Sequence, residues 1–325
     1  MPCRHVMDYG HFDVTGWQLP CKGPFPMNLS SAAILLLCNP HSRRGDQAAR
    51  TVRAVFEEHG REVIEAQPEG REDMARLIER HRERVGTVAI AGGDGTLNAA
   101  AEALARTGLT LGIIPGGTAN DLARTLGLPL TPAAAARVIV SGRARRVDLG
   151  CVNGHAFFNA AHVGLGVEVA KRLNGQAKGR WGALAYAKGL WQALRASQPF
   201  TVELRYQGRR QRRRAIEVGV GNGCFYGGGV RIAADAAIDD GGLDVYSLGP
   251  RGFWRLLALV PVLHQGEQRR AGIWALRTPA LELRTRRPRP VVADGEFLTR
   301  TPAHFTVRPG AVSIWVPDDG AGPRP

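Results

Sequence analysis

Short apolar segments alternate with amphipathic helical segments over the first third of the chain, and this alternation constrains the fold more than any other feature. Strands of the buried type are predicted at Ala33–Cys38, Glu62–Ala66, Thr87–Ala91 and Leu111–Ile114. Helices are predicted at Gln47–Glu58, Arg71–Arg84 and Leu97–Arg106. Strands that alternate with helices in this way form βαβ units and a mostly parallel sheet. Ligands bind such sheets at the carboxyl ends of the strands, so a functional site is expected in the loops that follow them.

Beyond about Val147 the pattern changes to short alternating runs separated by glycine-rich turns, which predicts an antiparallel β-sandwich. Its strands are predicted at His155–Ala160, Phe200–Tyr206, Ile216–Val220, Leu243–Leu248, Ala280–Arg284, Phe305–Val307 and Ser313–Val316. Two predicted helices, Trp181–Ala196 and Gly252–His264, interrupt this sandwich.

These patterns divide the chain into four parts. Residues 1–30 are rich in Pro and Gly and are expected to be a flexible leader; a start assigned too early, with Met27 as the true start, would also explain them. Residues 31–147 are expected to form the α/β domain and residues 148–317 the β-sandwich, whose final strands are free to return to the first domain. Residues 318–325 are expected to be a tail.

Composition and charge argue against a nucleic-acid-binding protein and against a membrane-spanning helix. The 325 residues include 43 Lys and Arg against 29 Asp and Glu, a net charge of +14, which favours an anionic partner. No nucleic-acid-binding motif accompanies this charge, and no apolar run approaches the roughly 20 residues that a spanning helix needs. The five cysteines are scattered, which predicts reduced thiols and a cytoplasmic location.

The loop after the third predicted strand, Gly92–Asn98, reads GGDGTLN and leads into a helix. Glycines allow the backbone to approach a ligand closely, and the N–H groups at the start of a helix suit a phosphate. Asp94 would repel that phosphate unless a metal ion or a transferable proton makes a carboxylate useful. The alternative is an ordinary strand-to-helix turn with Thr96 as the N-cap.

Two further polar loops are predicted at the same edge of the sheet. The fourth strand is followed by Pro115–Asp121, PGGTAND, and the first by Asn39–Ser42, NPHS. The loops after the third and fourth strands would lie side by side and form a two-walled nucleotide cleft, with the polar loop Asn39–Ser42 at the same edge. A P-loop is excluded because no glycine is followed by lysine, and GxGxxG fails because Asn98 stands at the third glycine position.

These motifs resemble the catalytic domain of the diacylglycerol-kinase family, which includes bacterial lipid kinases and the sphingosine and ceramide kinases. GGDG alone is shared with NAD kinases and phosphofructokinases, so the continuation from Ala33 to Pro317 with the motifs in order gives the resemblance its specificity. The later motifs are Asn159–Gly166, Gly221–Gly223, Tyr226–Gly229, Asp235–Asp244, Asp294–Glu296 and Ala311–Pro317.

The resemblance implies an ATP-dependent kinase that uses Mg²⁺ and phosphorylates the hydroxyl of a diacylglycerol-like lipid. Its fold would be a nucleotide-binding α/β domain similar to NAD kinase and diacylglycerol kinase, with a mostly parallel sheet, plus a C-terminal β-sandwich domain for the lipid substrate. The cleft would lie between the two domains.

The resemblance also implies roles for individual residues. Glu296 matches the proton acceptor, with Asp294 beside it, and Asp94 is the third catalytic candidate. The implied magnesium ligands are Asp240 and the backbone carbonyls of Ala237 and Gly242. The implied ATP-binding residues are Asn39, Ser42, Gly92, Gly93, Asp94, Gly95, Thr96, Leu97, Asn98, Thr118 and Asn120.

The chain departs from the family pattern at two positions. Arg43 follows Ser42, where the family commonly has glycine, so this first loop could be shaped differently or use Arg43 on a phosphate. Gly242 stands in the magnesium loop where a larger apolar residue is common, which predicts a softer loop.

The implied partner is a lipid at an anionic membrane surface, bound peripherally from the cytoplasmic side, with a homodimer as an option. Arginine runs at 209–214 and 284–289 would dock on anionic headgroups, or they are solvated hairpin turns. The two helices of the sandwich pack in the core or shelter an acyl chain.

Two other functions remain open at this point. One is a kinase for a soluble hydroxyl substrate, similar to NAD kinase. The other is a nucleotide-binding or membrane-binding module without turnover, against which the intact Asp94, Asp294 and Glu296 argue. The sequence does not identify the lipid.

Overall fold

The computed structural model describes residues 33–38, 43–165, 167, 198–250, 265–266 and 273–318. The first four strands are parallel and lie in the order β2-β1-β3-β4. They are β1 (Ala33–Cys38), β2 (Val63–Ala66), β3 (Val85–Gly92) and β4 (Thr110–Pro115). The predicted mostly parallel sheet is therefore confirmed.

Helices cover both faces of this sheet. They are α1 (Arg43–Glu58), α2 (Arg71–His81), α3 (Asp94–Thr107), α4 (Asp121–Thr125) and α5 (Pro132–Ser141). Successive side chains of a strand point to opposite faces, so Leu35 packs with α2 and α3 in one core, while Ile34 packs with α1 and α5 in the other. Parallel strands that are buried on both faces read as continuous apolar runs, which is why β1 could be recognised from the sequence.

The bounds of α3 differ from the prediction in a way that matters for the site. The helix begins at Asp94 rather than Leu97, and Gly93 is its N-cap residue. Most of the GGDGTLN motif is thus the first turn of a helix and not a loop. Helix α5 was not predicted, although Pro132 at its first turn is a helix-start signal.

The second half of the chain forms an antiparallel sandwich, as predicted. One layer is a six-stranded sheet in the order β14-β13-β10-β7-β16-β17, and β18, β15, β8 and β9 continue the first sheet as the other layer. A core between the layers includes Phe157, Val220 and Phe305. The strands are β5 (Arg143–Val152), β6 (His155–Phe157), β7 (Ala160–Gly164), β8 (Phe200–Tyr206), β9 (Arg209–Ala215), β10 (Glu217–Gly221), β11 (Phe225–Tyr226), β12 (Val230–Arg231), β13 (Leu243–Leu248), β14 (Trp274–Thr278), β15 (Ala280–Thr285), β16 (Pro290–Ala293), β17 (Glu296–Arg300) and β18 (Ala303–Val316).

The last strand joins the two halves. Ile314 of β18 lies opposite Leu111 of β4 in parallel register, and β18 also pairs along its length with β5. Strand β5 runs through the boundary expected at residue 147. The predicted helices at 181–196 and 252–264 lie outside the described residues. Within the described residues, no helix is long and apolar enough to cross a membrane.

Candidate active site

The loops after β3 and β4 touch each other through glycine. The Gly116 N–H donates to the Gly92 carbonyl at 2.9 Å, and a Cβ added at Gly117 would lie 2.6 Å from the Gly93 Cα. A side chain at Gly117 would collide with the backbone of Gly93, which cannot shift as easily as a flexible side chain. The glycines therefore allow the two predicted cleft walls to lie side by side.

The Asp94 carboxylate connects these two loops. It accepts hydrogen bonds from the backbone N–H groups of Asp121 at 3.1 Å and Leu122 at 3.0 Å, and from Asn159 Nδ2 at 3.3 Å. Asp121 and Leu122 are the first residues of α4, so Asp94 caps that helix although it belongs to α3. In this structure Asp94 positions the second loop.

Asn98 links α3 to the turn between β16 and β17. Its side chain is buried, and its Nδ2 donates to the Ala156 carbonyl at 3.1 Å and to Asp294 Oδ2 at 2.9 Å. Arg71 Nη2 donates to Asn98 Oδ1 at 2.9 Å. Asn98 is thus held from both sides, and its hydrogen bonds connect α3 to Ala156 and Asp294.

Asp294 is tethered by hydrogen bonds on every side. Besides Asn98, the backbone N–H groups of Phe158, Asn159 and Ala160 donate to its carboxylate at 2.8, 3.0 and 3.3 Å. Burial raises the pKa of Asp294, and these hydrogen bonds oppose the rise. A carboxylate so fully occupied has little capacity left to accept a substrate proton.

Glu296 differs from Asp294 in being exposed at the mouth of a cleft. A Cβ added at Gly95 would lie 3.2 Å from Glu296 Oε1, so the Glu296 carboxylate lies directly over the first turn of α3. The cleft has a volume of about 430 Å³. Its lining residues are Pro68, Glu69, Gly70, Arg71, Met74, Gly93, Gly95, Thr96, Ala99 and Glu296.

The other predicted nucleotide residues take different positions. The Leu97 side chain is buried in the core, and Asn120 folds its side chain back onto Gly117 through two hydrogen bonds of 2.9 Å. Thr118 is exposed in the second loop, and the Thr96 side chain packs against Gly92. Asn39 and Ser42 lie outside the described residues.

Sequence reasoning gave no role to Asp121, which is buried where the two halves of the chain meet. Its carboxylate accepts hydrogen bonds from the N–H groups of Gly228 and Gly229, with shortest distances of 3.0 and 2.9 Å. Burial raises the pKa of Asp121 to about 6, with the charges of Asp94 and Asp294 adding to the rise and the glycine hydrogen bonds opposing it. Its place beside Asn120 in the PGGTAND motif was the one available signal.

The loop predicted to hold magnesium is organised around Asp240. The Ala237 N–H donates to Asp240 Oδ2 at 3.2 Å, the Gly242 N–H donates to Oδ1 at 3.1 Å, and Arg277 Nη2 forms an ion pair with Oδ2. The neighbouring Asp239 is paired with Arg145 at 2.6 Å. In the part of the chain that the structure describes, no group of three or more His, Cys, Asp or Glu side chains could hold a metal ion. With a guanidinium already on its carboxylate, Asp240 as placed here does not fit a divalent cation, and the magnesium assignment stays a prediction.

Comparison with known proteins gives this arrangement a family. Residues 33–152 match the model of the diacylglycerol kinase catalytic domain, and residues 159–316 match that of the YegS C-terminal NAD kinase beta sandwich-like domain. A Pseudomonas aeruginosa UCBPP-PA14 protein described as "Probable lipid kinase YegS-like" is 34% identical over 87% of this chain and 94% of its own length. The chain belongs to the diacylglycerol kinase catalytic family. The predicted resemblance is confirmed.

Further relatives agree with this membership in the diacylglycerol kinase catalytic family. A Pseudomonas fluorescens Pf-5 protein with the same description is 37% identical over 76% of this chain and 83% of that protein. A crystal structure titled as a Bacillus anthracis diacylglycerol kinase has a TM-score of 0.69 and 24% identity, and it covers 88% of this chain and 97% of that one. That structural likeness supports the fold of the family.

Proposed function

We propose that this chain is a lipid kinase that transfers the γ-phosphoryl group of ATP to the hydroxyl of a diacylglycerol-like lipid. The observation that carries the proposal is the position of the Glu296 carboxylate directly over Gly95, at the start of α3. A potential proton acceptor and a phosphate-binding helix start therefore share one cleft. Family membership and the names of the relatives support the lipid as the acceptor.

The nucleotide phosphates would bind at the N-terminus of α3. The helix is 14 residues long, and its first N–H groups and dipole favour an anion. The cleft extends from Gly93 and Thr96 to residues 68–71, which leaves room for a polyphosphate beside the start of the helix. Mg²⁺ carried by ATP would neutralise phosphate charge, as phosphoryl transfer requires.

Glu296 would accept the proton of the acceptor hydroxyl. An alcohol is too weak an acid to ionise by itself at neutral pH, so a carboxylate must take its proton during transfer. Glu296 is exposed at the cleft, whereas the Asp294 carboxylate is occupied by four donors. Asp294 would therefore hold the turn that presents Glu296, and Asp94 would hold the loop after β4 through α4.

The lipid would be reached peripherally, at a cytoplasmic membrane surface. Among the strands that the structure describes, β9 lies at the end of its sheet, and its exposed Arg210, Arg212 and Arg214 share one face. Arg210 and Arg212 pair with Glu203, and the hydrogen bond from Arg210 is the largest cause that lowers the pKa of Glu203 to about 2. One carboxylate among three arginines leaves a net positive face suited to anionic headgroups. The same arginines also protect an exposed sheet edge, so this part of the proposal needs its own test.

The decisive experiment uses radiolabelled ATP with the full chain and a total lipid extract. A labelled, solvent-extractable lipid is expected, and Glu296→Gln should abolish it while nucleotide affinity stays near that of the unaltered chain. A matched control is Glu102→Gln, which changes a carboxylate on α3 that pairs with Arg308 outside the cleft.

Two outcomes would contradict the proposal. Label transferred only to NAD or a small polyol, offered in parallel, would indicate the kinase for a soluble substrate. Nucleotide or vesicle binding without transfer to any acceptor would indicate a module without turnover.

A further inference from the structure

The Arg277 side chain packs directly against Gly242, which lies in the loop 235–244. A Cβ added at Gly242 would lie 2.5 Å from Arg277 Nε and 3.2 Å from both its Cγ and its Nη2. The Arg277 side chain thus fills the space that a side chain at position 242 would occupy. Gly242 is not in the left-handed region, so its backbone conformation does not by itself require glycine.

Arg277 reaches this space because of strand register. It lies on β14 opposite Asp244 of β13, and β13 begins at Leu243, the residue after Gly242. From there its guanidinium crosses Gly242 and pairs with Asp240 Oδ2. The charges of Asp244 and Asp235 also favour the cationic form of Arg277, in addition to its ion pair with Asp240.

This arrangement gives the loop what a metal ion would supply. A divalent cation in such a loop would neutralise clustered carboxylates and fix the backbone around them. Here the guanidinium neutralises Asp240, and the Ala237 and Gly242 N–H groups fix the backbone on the same carboxylate. Asp239 has a cation of its own in Arg145.

We propose that Arg277 is a built-in cation of this loop, and that it takes the place that the family resemblance assigns to magnesium. Gly242, the departure from the family pattern, makes that exchange possible by leaving room for the guanidinium. The loop of this chain would then keep its shape without a bound divalent ion.

The shape of the loop matters because hydrogen bonds connect it to the turn between β16 and β17. The Gly241 N–H donates to Asp148 Oδ2 at 2.7 Å, and Asn222 Nδ2 donates to the carbonyls of Asp148 at 3.0 Å and Phe158 at 2.8 Å. The Phe158 N–H in turn donates to Asp294 at 2.8 Å. Arg277 would act on the site through this chain as a positioning residue.

The test measures cation binding and needs no turnover, so it is independent of the proposed kinase activity. Mn²⁺ is titrated into nucleotide-free, chelator-treated full chain, and free Mn²⁺ is followed by electron paramagnetic resonance. The unaltered chain should leave the free-ion signal unchanged. Arg277→Met should gain one site, with an affinity on the order of 10-fold or more above any residual binding. Gly242→Leu should gain the same site because it displaces the guanidinium.

Three controls locate the effect. Arg277→Lys keeps the positive charge and should bind no Mn²⁺, and Arg145→Met removes a neighbouring arginine but leaves Arg277 in place, so it should also bind none. Adding Asp240→Asn to Arg277→Met should abolish the gained site. Circular dichroism of each variant shows whether it is folded. Because Arg277→Met and Gly242→Leu remove the guanidinium from the loop in different ways, the test still works if one of them does not fold.

Stoichiometric Mn²⁺ binding by the unaltered chain, lost in Asp240→Asn, would overturn the proposal and establish a metal loop. Absence of binding in both folded variants, Arg277→Met and Gly242→Leu, would overturn it as well. In that case the loop would have no cation site for Arg277 to occupy.

Discussion

Asn98 and Asp294 are 196 positions apart in the chain, and their side chains meet in a hydrogen bond of 2.9 Å. Asn98 belongs to the first turns of α3, whose N-terminus forms the glycine-rich wall, and Asp294 belongs to the turn that presents Glu296. The bond therefore fixes the distance between the expected phosphate site and the expected proton acceptor. Arg71, which donates to Asn98 from the far side, extends the same restraint to the rim of the cleft.

Asp294→Asn should destabilise the protein, whereas Glu296→Gln should not. In Asp294→Asn an NH₂ group replaces one carboxylate oxygen and faces N–H donors, so these donors lose their acceptor. Each buried donor left unpaired lowers the free energy of unfolding by about 1–3 kcal/mol. We expect the midpoint of thermal unfolding to fall by several degrees in Asp294→Asn and to stay unchanged in Glu296→Gln, with lipid phosphorylation lost in both. Loss of activity in Asp294→Asn at an unchanged midpoint would instead assign Asp294 a direct part in the chemistry.

Asp94→Ala should reduce turnover on the order of 100-fold, the size of one lost transition-state stabiliser, while the protein stays folded. The physical reason is that α4 loses the two bonds that cap its first N–H groups, so the loop after β4, which lies against the loop after β3, is no longer held in place. Steady-state kinetics and the unfolding midpoint measure both effects. Glu72→Ala, which removes an exposed carboxylate from the first turn of α2, is the matched control and should leave turnover unchanged. Equal rates in both variants would remove Asp94 from the mechanism.

Features of this site that depend on residues close together in the sequence could be predicted, and features that depend on distant residues could not. The parallel sheet and the glycine-rich walls follow from local periodicity and turn chemistry, so they could be read from segments of about ten residues. The start of α3 was placed three residues late because its N-cap residue is Gly93, which has no side chain to cap the helix, whereas Thr96 offered a capping side chain further along.

Features that depend on contacts distant in sequence could not be predicted in the same way. Asp294 and Glu296 are separated by one glycine. The neighbouring sequence does not indicate that the Asp294 carboxylate is held by four hydrogen bonds while the Glu296 carboxylate is exposed. The contact of Asp121 with Gly228 depends on how the halves of the chain pack together. Arg277 reaches Asp240 only because of the register between β13 and β14, which alternation patterns do not specify.

The buried carboxyl of Asp121 should make stability depend on pH in a recognisable way. Its pKa is raised from an ordinary value of 3.8 to about 6, so the folded state holds this proton more tightly than the unfolded state does. The resulting stabilisation is fully present below the unfolded pKa and is lost as the pH rises through about 6. In Asp121→Asn the side chain is neutral throughout and can still accept from the glycine N–H groups.

Denaturant unfolding of the two proteins between about pH 4 and pH 7 measures this effect, because the contributions of other groups cancel in the difference. Relative to Asp121→Asn, the unaltered chain should lose up to about 3 kcal/mol of unfolding free energy over this range, since one pKa unit corresponds to about 1.4 kcal/mol. Parallel stability curves would show that Asp121 titrates normally.

The arginine face of β9 should bind anionic vesicles with a strong dependence on salt. Each basic residue near a charged membrane contributes about 1 kcal/mol, so Arg210→Gln/Arg212→Gln/Arg214→Gln should weaken binding on the order of 100-fold. Binding of the unaltered chain should also fall between low and physiological salt, as the Debye length shrinks from about 30 Å to about 8 Å. Co-sedimentation with phosphatidylglycerol vesicles, against phosphatidylcholine vesicles, measures both.

The matched control, Arg50→Gln/Arg76→Gln/Arg82→Gln, removes the same charge from exposed positions on or beside α1 and α2. Equal losses in the two triple variants would mean that net charge, and not this face, attracts the membrane, because net charge is all that the two variants share.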